Sequence, residues 1–317
     1  MTNLLNRVSG RTGIIAIFSV SFVFFLLITF PYEILKESIS NGLSRVTGLA
    51  ISMDDFGAKL PAGMQATGLS VTGRGAKAKT LKFNRLSVRM NPLYLLAGKL
   101  AANVYIENPD LSSMSIFLAF PLSGIVSGKD PIPSQIELDS QKFRVDELTA
   151  FIFSALATGA DVNPLVGPVL QGVGFSGKLD GSMDLAVDSS SPQDSSGSIK
   201  LKFIDATLKL SDPSLGLPDQ KFTKAGFQGS LTNGLLNLEK GSGFESDELT
   251  LSAGGSIAVK SPFPTSQLQL ELLVKLQKSL GEKFGFLLDA FSGGAAKNGE
   301  LRLQVKGPIS QPATHPI

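Results

Sequence analysis

Leu81-Lys-Phe83 and Leu86-Ser-Val-Arg-Met90 alternate apolar and polar residues, and this period of two decides the fold. In an extended chain successive side chains point to opposite faces, so such runs bury one face and wet the other. Leu69-Ser-Val71 and Val104-Tyr-Ile106 carry the same pattern on either side. The phase changes between Phe83 and Leu86, which points to a bulge. Glycine is abundant (33 of 317 residues) and tryptophan is absent. That mixture suits many strands joined by glycine turns better than a helical bundle. The expected class is mainly β, with mostly antiparallel pairing.

Further along, Ser198–Leu210 alternates as one strand. Phe227–Leu238 reads as a hairpin around Asn233-Gly234, since both positions of the tight turn need positive φ. Leu249–Val259 suggests another strand pair around Gly254-Gly255. Leu111–Ser127 is more uniformly apolar and fits either a buried strand or a greasy lining. Asn91–Gly98 reads as a one-turn helix, and Asp188–Gly197 as a serine-rich exposed loop. Two longer helices interrupt the strands. One is Glu147–Thr158, capped by Asp146; the other is Leu280–Phe291, opened by a capping box at Ser279-Leu-Gly-Glu282. Each follows a Pro-x-Pro turn and a strand, so residues 131–187 and 262–306 read as a weak internal repeat.

Toward the N-terminus the pattern changes altogether. Between Ile14 and Phe30, thirteen residues are Ile, Leu, Val or Phe, and no charge falls between Arg11 and Glu33. A helix over residues 13–32 would be about 30 Å long, one hydrocarbon thickness. The run is longer than a secretory h-region and exits into Phe30-Pro31-Tyr32-Glu33 without a small-residue cleavage site. An uncleaved single-pass anchor is therefore expected. Arg7 and Arg11 keep residues 1–12 in the cytoplasm and send the rest across. Residues 33–48 then place Leu35, Ile39, Leu43 and Val46 on one helical stripe, a linker to the β-rich domain over residues 49–317.

What is missing narrows the chemistry. There is no cysteine, and the single histidine, His315, stands third from the end in a proline-containing tail. Ser-His-Asp catalysis, Cys-His catalysis and the usual zinc sites find no support. Gly172-Val-Gly-Phe-Ser-Gly177 matches a dinucleotide fingerprint in letters only, because a strand and not a helix follows it. Asp54-Asp55 and the Asp180/Asp184 pair suit turns and a wetted strand face. No catalytic residue, cofactor or metal is expected, and the chain reads as a non-enzyme. From Phe56 to Ile106 eight basic residues occur with no acid. They are either a solvated strand face or a contact for anionic lipid or an acidic partner, with Lys79, Lys82 and Arg85 at its centre. Nucleic acid is not an expected partner across a membrane.

Several of these segments resemble a known family. The apolar span ending Phe-Pro-Tyr, the helix closing on Thr47-Gly48, and the Gly177-Lys-Leu-Asp-Gly181 strand opening resemble the type II secretion system protein N (GspN) family. So do the Leu231-Thr-Asn-Gly-Leu-Leu-Asn-Leu238 hairpin and the ending Leu303-Gln-Val-Lys-Gly-Pro-Ile-Ser-Gln-Pro312. The Asn91–Pro109 pattern is similar to AsmA-like envelope proteins. The first resemblance implies a bacterial inner-membrane protein whose periplasmic β domain serves type II protein secretion and contacts other components of that machinery. The second implies a curved, half-barrel or trough-like sheet with an apolar concave face. On that basis Phe83, Leu86, Val88, Phe117, Phe120 and Phe203 are candidate groove-lining residues, and phospholipid is a candidate ligand in the alternative role of lipid binding or transfer.

Overall fold

The computed structural model describes residues 32–59, 62–73, 79–126, 133–157, 172–188, 191–210, 218–260, 265–277 and 299–317, with isolated positions between 280 and 296. The expected membrane span falls outside this set, apart from Tyr32. Among the described residues no helix is long and apolar enough to cross a membrane. Most of the second expected long helix, over Leu280–Phe291, also lies outside them.

The rest is mainly β, a single curved, open, antiparallel sheet of sixteen strands among the described residues. In chain order these are β1 (Ala50–Ser52), β2 (Asp55–Ala58), β3 (Gly63–Thr72), β4 (Thr80–Met90), β5 (Lys99–Glu107), β6 (Ser113–Pro121), β7 (Gln135–Arg144) and β8 (Val173–Ala186). There follow β9 (Ser196–Leu210), β10 (Gln220–Lys221), β11 (Lys224–Thr232), β12 (Leu235–Glu245), β13 (Leu249–Ala258), β14 (Gln267–Leu276), β15 (Glu300–Pro308) and β16 (Ala313–Pro316). From β3 onward each strand pairs with its successor, except that the short β10 only flanks β9, which pairs directly with β11. The two halves of β1–β2 both lie against β3.

The turns follow from local chemistry. Asn233 and Gly234, at φ 53° and 74°, close the β11–β12 hairpin where the sequence places it. The phase change before Leu86 falls where the β3–β4 ladder skips one pair. Thr67 faces Arg85 and Leu69 faces Phe83, with Gly68 at φ 57° between and no net slip of register. Leu111–Ser127 resolves into β6 and a short helix, α3 (Leu122–Val126). One expectation is corrected. Leu249–Val259 is not a strand pair but the single strand β13, because Leu251, Ala253, Gly255 and Ile257 keep one unbroken alternation. At the C-terminal side, Ala313–Pro316 pairs with Leu303–Lys306 and forms the sheet's last edge.

Connections define two ends of the sheet. The lower end carries the β4–β5, β6–β7, β8–β9 and β11–β12 connections; the upper end carries β3–β4, β5–β6, β7–β8 and β12–β13. Helix α1 (Tyr32–Thr47) packs along β1 and β2. Helix α2 (Leu93–Leu96) sits in the β4–β5 connection, as the Asn91–Gly98 pattern anticipates. Helix α4 (Asp146–Ala157) lies at the upper end and touches β4 and β8. Its N-terminus is fixed by Asp146, whose carboxylate accepts the Gly177 N–H at 2.9 Å and the Arg144 guanidinium at 2.9 Å.

Candidate functional site

Cross-strand partners share a face, so the registers show where the apolar side chains gather. One row runs Met64, Val88, Val104, Ile116, Leu138, Met183 and Ile199, each directly opposite the next. It continues through Gly229, Leu238 and Gly255 to Leu270 and Val305. A second row beside it runs Met90, Ala102, Leu118, Ile136 and Leu185. Between these residues stand Arg89, Asn103, Glu137, Asp184, Lys200, Gln228 and Asn237, which point the other way. The sheet therefore carries one apolar face from β3 to β15. Most of that face is half-buried rather than buried. A half-exposed Leu or Ile leaves about 1 kcal/mol of transfer free energy unrealised. Extended over twelve strands, such a face invites an apolar occupant.

Toward the upper end the face holds a cluster of five phenylalanines. Phe244 centres the group, with Phe175, Phe203, Phe222 and Phe227 at ring-centroid distances of 5.3–5.6 Å. Phe175 stands on β8 and Phe244 on β12, with β9 and β11 between them. Three interstrand spacings amount to about 14 Å, yet these rings are 5.5 Å apart. The sheet closes toward its apolar side here.

The candidate lining residues divide. Leu86, Val88 and Phe120 lie on the apolar face, and Phe203 belongs to the phenylalanine cluster. Phe117 is on the opposite face, packed against Tyr94 of α2 at 5.3 Å and against buried Ala101 and Ala119. Phe83 lies beyond the skipped pair at Gly68, half-buried and opposite buried Leu69. Three positions apart in one strand, Phe117 and Phe120 must face opposite ways; the nearly unbroken apolar run hides only which of the two lies on the apolar face.

The three basic candidates do not form one cluster. Lys79 is exposed before β4, and exposed Lys82 donates its backbone N–H to Glu147 of α4 at 3.1 Å. Arg85 faces Glu107 at 3.8 Å. Glu107, in turn, accepts bonds from Asn84 and, at 3.2 Å, from the Tyr105 hydroxyl. Arg85 is therefore paired with an acid on the neighbouring strand, while among the described residues Lys79 and Lys82 form no ion pair with an acidic side chain.

At the upper end Asn108, Pro109, Asp110, Arg144 and Glu147 line a cleft of about 50 Å³, room for a water or two and not for an organic substrate. Burial pushes the Asp110 carboxyl up, but the Ser112 hydroxyl and amide, with Arg144, hold it below the usual carboxylate range. Its partner Arg144 is raised by its bond to Asp146. Among the described residues no three His, Cys, Asp or Glu side chains are grouped to hold a metal ion. His315 lies exposed in β16 opposite Gln304. Gly174 and Gly177 lie within β8, without the strand–turn–helix context that a dinucleotide loop requires.

Comparison with protein-family models, with curated proteins and with solved structures found no match to this chain.

Proposed function

We propose that this chain is a membrane-anchored, non-catalytic envelope protein whose apolar sheet face holds lipid acyl chains. The observation that carries the reading is the row from Met64 to Val305, interrupted only by Gly229 and Gly255, mostly half-exposed and free of charge. Acyl chains fit it better than a folded partner, because they adapt to a long smooth surface and leave no polar group unpaired. The curve toward the phenylalanine cluster supports a trough, with the apolar side within. The stretch Ile14–Phe30 would tether the trough to the inner membrane and leave it in the periplasm.

Service in the type II secretion machinery is the second reading. It rests on the segments resembling the protein N family, and the polar face, with the sheet edge at β16, leaves room for subunit contacts.

Photocrosslinking amino acids placed in the full chain at Met183 and Ile199 on one face, and at Ser182 and Lys200 on the other, separate these roles. Phospholipid adducts from the first pair alone support lipid holding. Protein adducts from the first pair and no lipid from either would overturn it in favour of a scaffold.

A further inference from the structure

The lower end of the sheet has a feature that lipid holding alone does not require. Its β4–β5 and β6–β7 connections expose Met90, Leu93, Leu95, Leu96, Ile125 and Val126. Leu93 is 71% exposed, Leu96 89% and Val126 85%. The two short helices that carry them are joined, since the Leu122 N–H at the start of α3 donates to Gly98 O just after α2 at 2.9 Å. Tyr94, between the exposed leucines, turns inward onto Phe117 and fixes α2 to the sheet. The result is a braced apolar knuckle, not two loose loops. Isolated exposed leucines need no explanation, but a contiguous group on neighbouring connections marks a contact surface.

Two observations say what covers it. The first is the course of α1. Lys36 Nζ reaches Asp54 O at 3.1 Å, the Ser40 hydroxyl donates to Ile51 O, and the Ser44 hydroxyl accepts the Ile51 N–H at 3.1 Å. Along the same path β1–β2 runs from Ala50, opposite Thr72, to Ala58, opposite Met64. Helix α1 is therefore antiparallel to that segment, and its Tyr32 end is directed to the lower end. The uncharged stretch Ile14–Phe30 immediately precedes that end in the chain. The second observation is charge. Lys59, Arg89 and Lys99 border the same end, in a region, residues 56–106, that contains no acidic residue. Basic residues flanking an apolar knuckle suit anionic headgroups above a hydrocarbon layer.

We infer that the α2–α3 knuckle sits in the outer leaflet of the bilayer that residues 14–30 enter, so that the apolar face opens directly onto the lipids. The row Met90, Ala102, Leu118, Ile136 begins at the knuckle and supplies the path from leaflet to trough. This inference rests on the membrane-anchored part of the proposed function and adds a second, independent contact.

The chain has no cysteine, so single labels can be placed cleanly. The full chain, reconstituted in phosphatidylethanolamine–phosphatidylglycerol vesicles, would carry an environment-sensitive fluorophore at Leu96→Cys, at Val126→Cys, at Leu111→Cys on the upper end, or at Phe24→Cys in the apolar stretch. Vesicles with bromine-bearing acyl chains serve as quencher. Blue-shifted emission and loss of most of the signal at positions 96 and 126, with solvent-like emission at 111, is the expected result. Solvent-like emission at 96 and 126 with quenching at 24 overturns the knuckle contact and leaves the anchor standing. A blue shift at 96 and 126 without bromolipid quenching also overturns it, by showing that protein covers the knuckle. Absence of quenching at position 24 would instead remove the membrane reading itself.

Discussion

Glu147 on α4 accepts the backbone N–H of Lys82 on β4 at 3.1 Å, across sixty-five residues of sequence. Strand β5 pairs with β4 only from Arg85 to Met90. The first half of β4 would otherwise present an open edge, and α4 takes the place of the missing strand. Glu147→Ala should cost about 1 kcal/mol, less than the usual figure for a hydrogen bond to a charged acceptor, because this one is solvent-exposed. Amide exchange at Lys82 should accelerate while exchange at Val104 stays slow. Equal acceleration at both sites would mean that α4 does not brace this edge.

Phe244 touches four other rings, whereas Phe203 touches two. Phe244→Ala should therefore destabilise the domain by about 2–4 kcal/mol, below the full cost of a buried phenylalanine because the site is partly open. Phe203→Ala should cost less. Urea unfolding of the two variants checks the order, and the reverse order would place the centre of the cluster elsewhere.

Gly254 and Gly255 are neighbours with opposite requirements. A Cβ on Gly254 meets nothing within 4 Å, whereas Gly255 has φ 114° and a Cβ there would run into the carbonyl of Gln269 on β14. Gly254→Ala should be neutral or stabilising by about 0.4–1 kcal/mol, through the unfolded chain. Gly255→Ala should destabilise by more than that. Melting temperatures of the pair decide the matter, and similar values would contradict the β13–β14 register.

The Asp110–Arg144–Asp146 junction gives a pH dependence with a definite sign. Asp110 is depressed in the folded state, so its contribution is fully present above the ordinary carboxylate pKa and is lost as pH falls through the lower folded value. Stability should therefore decline below about pH 4. Asp110→Asn should flatten that decline and leave stability at neutral pH reduced. The urea midpoint measured from neutral to acid pH tests it; an unchanged acid slope in the variant would rule Asp110 out.

Local signals made the β-rich class, the Asn233-Gly234 hairpin and the one-turn helix at Leu93–Leu96 readable. Each depends on residues within a few positions of one another, whose φ preferences and face periodicity act locally. The row from Met64 to Val305 was legible only strand by strand. Which residues of neighbouring strands stand opposite each other depends on turns, bulges and skipped pairs. The odd spacing of Phe117 and Phe120 puts them on opposite faces of any strand, but which of those faces becomes the apolar row is a tertiary matter. Phe120 stands opposite Leu100, while Tyr94 folds back over Phe117.

The sequence by itself determined that this chain has an uncharged apolar stretch near its start, a strand-rich remainder and no cysteine or histidine pair with which to do familiar chemistry. Only the tertiary structure decided that the strands join into one sheet with a single apolar face, that α4 closes β4's edge, and that the exposed leucines gather at the end of the sheet toward which the start of α1 is directed. Periodicity fixes what each residue does within its own element. Which elements become neighbours is a long-range choice, made when registers lock and side chains distant in the chain find each other.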